Sequence, residues 1–410
     1  MHTDCIILGG GAAGLTAAAA LASSGLHITV VERLDRVGKK ILSTGNGRCN
    51  LSNQDMRADL YAPCAPFVSG VYDQTAPQEV LAFLKTLGLM TAAEDGRIYP
   101  RSMQASAVLD ILRMGCEAPN VTLLTGETAA AITPSRRGGW SVQLDSGKGL
   151  FAPVVLCAMG GSAAPSMGTD GCGVRLMKAL GHRAAPALPA LVQLKCTHPA
   201  LRSLKGIRVQ AELTLLQGEK PLARETGELL FQDYGVSGVC VFQLSRFATR
   251  ALDAKQRVQL CINLLPEADN AYIWLKERIA AHPQRSAGML FTGVFHRLLA
   301  QALLKEASIA QDAPAASLSA QDIQQLSRAI GAFTLNIDAT QGFAQAQVTA
   351  GGIRTDEIDP ATMQSRLFDG LYFAGEVVDV DGPCGGYNLH FAFASALTAA
   401  KSIAASRNAG

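Results

Sequence analysis

The 410-residue sequence lacks the features that characterise several special classes of protein. Its ten cysteines are scattered singly with no C-x-x-C pair, which argues against a disulfide scaffold and a zinc site. No apolar run reaches about 18 residues, and the first residues lack a charged segment and a cleavage site, so we expect neither a membrane span nor a secretion signal. Lysine and arginine number 36 against 34 acidic residues, which disfavours a purely electrostatic nucleic-acid binder. The composition predicts a reduced, cytoplasmic, globular protein without metal.

The chain divides into three stretches by hydrophobic pattern. Residues 1–188 alternate short apolar strands with Ala- and Leu-rich helical segments, as in βαβ units, and residues 121–159 within them indicate a small antiparallel meander of four strands. Residues 189–333 are first strand-rich and then helical, with one helix predicted to begin at a Ser319 cap, which indicates an inserted domain. Residues 334–410 return to strand and helix. The predicted class is α/β, with a parallel sheet interrupted by an insertion.

Residues 4–33 combine a strand, a glycine turn, a helix and a second strand in the segment DCIILGGGAAGLTAAAALASSGLHITVVER. Gly9 permits the tight turn, Gly11 lets backbone N–H groups approach a pyrophosphate at the positive end of the helix, and Gly14 allows the helix to pack on the strand. Glu32 ends the second strand at the spacing where an acid binds a ribose diol. The combination predicts a dinucleotide site.

Two further segments extend this site. The loop at 38–53, GKKILSTGNGRCNLSN, is long, and its Lys40 and Arg48 suit a phosphate or a flavin carbonyl oxygen. In the C-terminal segment GLYFAGEVVDVDGPCGGYNLHFAFASAL, Asp379 can accept hydrogen bonds from ribityl hydroxyls. The helix that begins near Gly386 would direct its dipole toward the pyrimidine end of a flavin, which stabilises the anionic reduced ring. These features favour a flavin as the resident cofactor.

The electron donor is indicated by what is missing. A disulfide-reductase type of flavoprotein would carry a second G-x-G-x-x-G and a redox C-x-x-C, and the sequence has neither. NAD(P)H would therefore bind transiently, or the electrons would come from the substrate. The strand and turn VVLCAMGG at 154–161 would bring the chain back across the dinucleotide.

The order of the motifs identifies a family. The segments GGGAAG, GKKILSTGNGRCNLSN, GRIYPRS, GELLFQDYGVSG, AQVTAGGI and GLYFAGEVVDVDGPCGGYN closely resemble the BaiN/RdsA family of flavoproteins, also described as YhiN-type or aminoacetone-oxidase-like. The resemblance covers nearly the whole chain. It implies a Rossmann-type FAD-binding domain, glutathione-reductase-like, interrupted by an inserted domain with a small β-barrel at about 189–262 and a helical part at about 263–333. It also implies that the substrate lies between the insert and the flavin.

The motifs and the resemblance together predict the residues that bind non-covalent FAD. They are Gly9, Gly11, Ala13, Gly14, Glu32, Arg33, Lys40, Gly45, Gly47, Arg48, Cys49, Asn50, Gly160, Gly161, Gly375, Glu376, Asp379, Gly385, Gly386, Tyr387 and Asn388. The sequence departs from the family pattern near the predicted substrate side. Ala164 stands where an aromatic residue is frequent, Gln232-Asp233 stands where Thr-His is usual, and Val239 replaces a proline. A catalytic role for that histidine is therefore absent from this chain.

The resemblance implies three activities. The leading hypothesis is an NAD(P)H-driven reductase in which reduced FAD passes hydride from N5 to a conjugated C=C bond of a small molecule, such as a steroid-like bile-acid enone. The candidate proton donors are Tyr387, Cys49, His390 and Tyr99, each with a purely structural alternative. A second hypothesis is a ribosomal RNA dihydrouridine synthase that holds a flipped base with basic residues of the insert. These residues are Lys195, Arg202, Lys205, Arg208, Arg246, Arg250 and Arg257. A third is a flavin oxidase of small amines such as aminoacetone.

Overall fold

The computed structural model describes residues 3–61, 63–136 and 138–408, which form two compact units. The Rossmann unit comprises the chain up to Leu188 and from Gln347 onward, and the inserted unit comprises Pro189–Ala346. The strands, in chain order, are β1 Cys5–Leu8, β2 Ile28–Glu32, β3 Ser52–Asn53, β4 Thr91–Glu94, β5 Arg97–Pro100, β6 Val121–Thr125, β7 Ala129–Pro134, β8 Trp140–Leu144, β9 Gly149–Ala152, β10 Val154–Cys157, β11 Ala184–Ala190, β12 Leu194–Cys196, β13 Arg208–Gln217, β14 Lys220–Gln232, β15 Gly235–Ser237, β16 Val258–Asn263, β17 Phe333–Thr340, β18 Val348–Ile353 and β19 Leu371–Phe373.

The α-helices are numbered in the same way. They are α1 Ala12–Leu21, α2 Ala65–Gln74, α3 Pro77–Thr86, α4 Ala105–Gly115, α5 Cys172–Leu180, α6 Leu201–Leu204, α7 Val239–Asp253, α8 Ala271–Ala281, α9 Arg297–Glu306, α10 Ala320–Gly331 and α11 Tyr387–Asn408. Short 3-10 turns occupy Ile41–Gly47, Ala58–Tyr61, Pro165–Met167, Ala287–Phe291, Ala315–Ser317, Thr355–Glu357 and Gly375–Val377.

A five-stranded parallel sheet forms the core of the Rossmann unit, in the order β19-β10-β1-β2-β6. Every residue of β1 and β10 is buried, as expected for a parallel sheet that is covered on both faces. Helices α1 and α11 pack against each other, and their many alanines let the two backbones approach closely. The Ser395 hydroxyl of α11 accepts a hydrogen bond from the Gly375 N–H at 3.0 Å, directly after β19. The predicted Rossmann-type α/β class is confirmed.

The antiparallel meander differs from the predicted one. It consists of β7, β8 and β9, whereas β6 and β10, expected as its first and last strands, lie in the parallel sheet. In β8 the buried residues Trp140, Val142 and Leu144 alternate with exposed ones, while the VVLC run of β10 is buried throughout. Alternation is typical of a strand with one solvated face and a continuous apolar run of a central parallel strand. The assignment of β6 and β10 to the meander was therefore wrong.

The inserted unit contains a closed six-stranded barrel in the order β12-β15-β14-β13-β16-β17. Strand β17 pairs with β16 on one side and with β12 on the other, so it closes the barrel. Its alternate residues Phe333, Leu335 and Ile337 are buried in the same hydrophobic core as the rest of the barrel. The predicted boundary at 333/334 placed residues 334–340 of this strand in the Rossmann unit. The inserted unit instead continues to Ala346.

Three helices of the inserted unit begin with side-chain caps. At α9 the His296 ring nitrogen Nδ1 accepts from the Leu298 N–H at 3.2 Å. At α8 the Asn270 side-chain oxygen accepts from the N–H groups of Tyr272 and Ile273, at 2.9 and 3.1 Å. At α10 the Ser319 hydroxyl accepts from the Asp322 N–H at 3.1 Å, and the Asp322 carboxylate accepts from the Ser319 N–H at 2.8 Å. This reciprocal pair is a capping box. The cap predicted at Ser319 is confirmed.

Candidate cofactor site

The glycine turn between β1 and α1 contains glycines with two different roles. Gly9 has a φ of +103°, and a Cβ added there would lie 2.4 Å from the Ala158 carbonyl oxygen. A Cβ on Gly14 would lie 1.9 Å from the Gly9 carbonyl oxygen, so both glycines are required by packing within the protein. Gly11 precedes the helix with a φ of −86°, and no atom of the described residues lies within 4 Å of the Cβ it would carry. Space at Gly11 is thus open at the positive end of α1, as a pyrophosphate site requires.

The carboxylate of Glu32 lies beside this turn. One oxygen accepts from the Gly10 N–H and the other from the Leu34 N–H, both at 2.9 Å. The neighbouring Arg33 instead pairs with Asp170 at 3.0 Å. Partial burial alone would raise the pKa of Asp170, but hydrogen bonds with Cys172 and Arg33 hold that pKa below its usual range. Glu32 is therefore bound to the glycine turn, whereas Arg33 is paired with the loop before α5.

The loop at 38–53 is built on positive φ angles. Five residues adopt them, namely Gly38, Gly45, Asn46, Gly47 and Cys49. A Cβ on Gly45 would lie 2.9 Å from the Asn50 backbone nitrogen, so the chain is tightly folded there. The Asn50 side chain, with its amide nitrogen donating to the Ser52 carbonyl at 2.9 Å, accepts from the Gly386 N–H at 3.2 Å. The loop is therefore tied to the start of α11.

Arg48 of this loop contacts the β4–β5 hairpin. Its guanidinium lies over the Tyr99 ring, 4.4 Å from the ring centroid, and forms an ion pair with Glu94. It also donates to the Met103 sulfur at 3.4 Å. The sequence assigned Arg48 to a phosphate or a flavin oxygen, and the structure shows it engaged with protein groups.

Lys40, Glu376 and the turn after β10 form one connected network. Lys40 Nζ donates to Glu376 Oε2 at 2.7 Å, and Glu376 Oε1 accepts from the Thr349 N–H at 2.8 Å. The Thr349 hydroxyl in turn accepts from the backbone N–H groups of Ser162 and Ala163, at 2.7 and 2.9 Å. Sequence reasoning missed Thr349, although it lies in the quoted segment AQVTAGGI. A Thr followed by Ala-Gly-Gly gives no signal that its hydroxyl will be a buried acceptor.

Neighbouring predicted residues pack against this network. A Cβ on Gly161 would lie 2.4 Å from Thr349 Oγ1, and one on Gly160, which has a φ of +71°, would lie 3.0 Å from a Thr169 carbon. Ala13 of α1 is buried, and a Cβ on Gly375 would lie 3.0 Å from its methyl group. The three predicted segments around Lys40, Gly161 and Glu376 are thus brought together by one set of hydrogen bonds.

The segment before α11 is closed by Asn388. Its side-chain oxygen accepts from the Gly382 N–H at 2.7 Å, and its nitrogen donates to the carbonyls of Gly382 and Pro383 at 2.9 and 3.2 Å. Gly386 has a φ of +99°, and a Cβ there would lie 2.4 Å from the Ser52 carbonyl oxygen. Gly385 has a φ of +128°. This backbone conformation needs glycine, and it exposes the start of α11 without a bulky side chain.

Asp379 is fixed by its backbone. Its N–H donates to the Ile353 carbonyl at 2.9 Å, and its carbonyl accepts from the Cys64 thiol at 2.9 Å. The residue therefore connects the end of β18 to the segment that enters α2.

The four candidate proton donors are all largely buried. Cys49 is fully buried, which raises the pKa of its thiol to about 11. His390 is also fully buried, neither ring nitrogen meets a partner among the described residues, and burial lowers its pKa to about 3. The Tyr387 hydroxyl donates to the Asp55 carbonyl at 3.2 Å, and burial raises the pKa of this phenol. Tyr99 is 5% exposed beneath Arg48. His390 has the environment of a neutral core residue.

Metal-ligand clusters and membrane-spanning helices are both absent from the described residues. Within residues 3–61, 63–136 and 138–408, no group of three or more His, Cys, Asp or Glu side chains is arranged to hold a metal ion. Nor does this part of the chain contain a helix with the length and apolar character needed to cross a membrane.

Comparison with known proteins identifies the family. The family model described as "HI0933-like protein Rossmann domain" matches residues 3–402. A 3-dehydro-bile acid delta(4,6)-reductase from Clostridium scindens is 39% identical over 405 residues, which are 97% of this chain and 98% of the relative. A ribosomal RNA dihydrouridine synthase from Escherichia coli is 28% identical over 410 residues, 99% of each chain.

A solved structure shares the fold. The 3-ketosteroid-delta4-(5alpha)-dehydrogenase from Rhodococcus jostii RHA1 superposes with a TM-score of 0.51 at 15% sequence identity, over 98% of this chain and 96% of that one. The family match and the 39% identical relative both extend over nearly the whole sequence. The chain belongs to the HI0933-like family of Rossmann-domain proteins.

Proposed function

We propose that the protein is an FAD-dependent reductase of a conjugated C=C bond in a small, steroid-like molecule. The observation that carries the proposal is the open N-terminus of α1 at Gly11, with the Glu32 carboxylate hydrogen-bonded to the same turn. A dinucleotide needs backbone donors for its pyrophosphate and an acid for its ribose, and both are in place within one unit.

The chain's own residues would hold FAD along this unit. The N–H groups around Gly11 would bind the pyrophosphate and Glu32 the adenosine ribose. The Lys40–Glu376 pair and the start of α11 would serve the flavin end. Bound FAD would supply the hydride chemistry that no amino-acid side chain provides. No side chain fits at four of the glycines, because a Cβ there would lie 2.4 Å or less from another protein atom. These glycines are Gly9, Gly14, Gly161 and Gly386.

Support for the substrate class comes from the 39% identical relative, which is named for reduction of a 3-dehydro bile acid. Reduction of a polarised C=C bond also requires one proton at the carbon that does not receive hydride. We assign this proton to the Tyr387 hydroxyl, because Tyr387 is the first residue of α11, whose start we propose to serve the flavin end. Cys49 and His390 are both fully buried in the Rossmann unit, and the His390 ring nitrogens meet no partner among the described residues.

A ribosomal RNA substrate is the second candidate, because relatives at 28% identity over the whole chain carry that activity in their names. The basic residues predicted to hold RNA do not all lie free on the surface of the inserted unit. Lys205 pairs with Asp233 at 2.6 Å, Arg208 forms an ion pair with Glu228, and Arg246 is 5% exposed. Cations already neutralised by carboxylates release fewer counterions on binding a phosphate backbone, so the charge pattern favours the small molecule.

The test is an anaerobic stopped-flow experiment on the purified, FAD-loaded protein. We expect a yellow protein that releases FAD on denaturation, fast bleaching of the flavin by NADH or NADPH, and fast recovery of colour with a 3-oxo-4,6-diene steroid acid. A colourless protein that cannot be reconstituted would overturn the FAD assignment.

The compound that reoxidises or reduces the flavin in this experiment distinguishes the alternative functions. Recovery of colour with unmodified large-subunit ribosomal RNA, and not with the steroid acid, would replace the substrate class by RNA. A flavin that both nucleotides leave oxidised, but that aminoacetone bleaches with peroxide release in air, would replace the reductase by an amine oxidase.

A further inference from the structure

Thr349 joins three chain segments through one buried side chain. It lies in β18 and is 2% exposed. Its hydroxyl accepts from two successive backbone N–H groups, those of Ser162 and Ala163, and its own N–H donates to Glu376. Through these three hydrogen bonds, Thr349 directly connects the turn after β10 with the turn after β19.

The Thr349 hydroxyl is the hydrogen-bond acceptor for the turn after β10. Two adjacent N–H groups, that of the partly buried Ser162 and that of the buried Ala163, converge on this oxygen and lose their acceptor if it is removed. An unpaired buried donor is costly. Gly161 explains the closeness of the fit, since a Cβ there would lie 2.4 Å from Thr349 Oγ1 and 2.8 Å from Glu376 Oε1. The turn, the threonine and the carboxylate therefore fit together in one arrangement.

The same arrangement fixes a lysine. Glu376 uses one carboxylate oxygen for the Thr349 N–H and the other for Lys40 Nζ, so the carboxylate cannot rotate without losing a bond. The Lys40 side chain is 22% exposed, and only one of its three ammonium donors meets a partner in the part of the chain that the structure describes. One hydrogen bond thus holds the ammonium in place, and its other two N–H groups have no partner among the described residues.

We propose that Thr349 is a positioning residue that sets the Lys40–Glu376 pair against the cofactor, so that Lys40 favours the reduced flavin. This inference rests on the proposed function, because it requires FAD in the Rossmann unit. A fixed positive charge near a flavin stabilises its reduced, more negative state, whereas a mobile charge that solvent screens does so less.

The test compares T349V with T398V and K40M. Valine keeps the shape of threonine and removes the hydroxyl. Thr398 is the matched control, because it is also 2% exposed and hydrogen-bonded in the Rossmann unit, to Thr75 at 2.9 Å, but it lies outside the network. The measurements are the FAD dissociation constant, the midpoint potential of the bound flavin by dye equilibration, and the melting temperature of each apoprotein.

We expect T349V and T398V to lower the apoprotein melting temperature to similar extents. Only T349V should raise the FAD dissociation constant, by roughly tenfold or more, since it leaves buried donors unpaired. T349V keeps the backbone N–H that holds Glu376 but frees Thr349 from the turn after β10, so that this N–H is no longer fixed in place. It should therefore also lower the midpoint potential in the same direction as K40M, while T349S stays near wild type on both measurements.

Three results would overturn the inference. One is a T349V protein with the wild-type dissociation constant and potential, and another is a T398V protein with the same losses as T349V. If T349V does not fold, a K40M protein with an unchanged potential is the third. A wild-type protein that binds no FAD would instead overturn the proposed function, and with it this inference.

Discussion

Helices α1 and α10 begin in opposite ways. At α10 the Ser319 hydroxyl and the Asp322 carboxylate exchange hydrogen bonds with each other's backbone N–H groups, so the first turn is satisfied by its own residues. At α1 the helix starts after Gly11, and no side chain of the described residues caps it. The start of α10 is thus satisfied by the protein itself, whereas the start of α1 has N–H groups to offer to the pyrophosphate that we propose binds there.

The local sequences account for the difference. S-A-Q-D carries both halves of a capping box, whereas G-A-A-G offers no side chain that could accept a hydrogen bond. Gly11 also has an ordinary φ of −86°, so its glycine is not required by the backbone. We propose that glycine stands here because the pyrophosphate occupies the space outside the helix.

The largest effect should come from giving α1 the kind of cap that α10 has. In G11D, an aspartate can accept from the first-turn N–H groups and place a negative charge where the pyrophosphate would lie. We expect the FAD dissociation constant to rise by about 100-fold or more, with an apoprotein at least as stable as wild type. Fluorescence titration with FAD and thermal unfolding of the apoprotein measure the two effects.

G11A is the control for this prediction, since it fills the same space with a methyl group and adds neither charge nor cap. We expect G11A to bind FAD more tightly than G11D. Equal binding by wild type and G11D would show that α1 is not the phosphate-binding helix and would remove the contrast with α10.

A smaller effect should follow from removing the cap of α10. S319A deletes the hydroxyl that accepts from Asp322 N–H and should lower the free energy of unfolding by about 1 kcal/mol. FAD affinity should stay at the wild-type value, because this helix start is satisfied internally. Urea unfolding and FAD titration of the same samples check both parts, and a change in FAD affinity would contradict the assignment.

The smallest effect is the pH dependence of the α10 cap. Hydrogen bonds from the Ser319 side chain and backbone lower the pKa of Asp322 in the folded protein. A carboxyl whose folded pKa lies below its unfolded value stabilises the fold above the unfolded pKa, and this contribution is lost as pH falls through the folded pKa. The difference in stability between wild type and S319A should therefore shrink on acidification below pH of about 4. A difference that grows on acidification would contradict the capping box.

Local rules allowed some features to be predicted from sequence. The roles of Gly9 and Gly14, and the position of Glu32 beside the turn, follow from a short continuous segment in which spacing fixes geometry. The Ser319 cap follows from four consecutive residues. The Gly14 contact, the Glu32 hydrogen bond and the Ser319 cap each join groups within one short stretch of chain, although Gly9 also packs against the distant Ala158 carbonyl.

Other features depend on partners that are distant in the sequence. Strand β17 could not be assigned to the barrel from its own residues, because its partner β12 lies well over a hundred residues earlier. The hydroxyl of Thr349 became important only where the fold brought Ser162 and Ala163 to it. The sequence suggested that Arg48 binds a phosphate. In the structure its guanidinium contacts Tyr99 and Glu94 of the β4–β5 hairpin, which lies later in the sequence.

The interrupted course of the Rossmann unit has a consequence for biosynthesis. Its five-stranded sheet needs β19, and α1 needs α11, and both are encoded after the whole inserted unit. The barrel strands, by contrast, come from one uninterrupted run of chain, Pro189–Ala346. During synthesis all strands of the barrel therefore leave the ribosome before β19, the edge strand of the sheet that also contains β1, β2, β6 and β10. Domains fold as units as the chain emerges, so the inserted unit is the first of the two units able to reach its final structure.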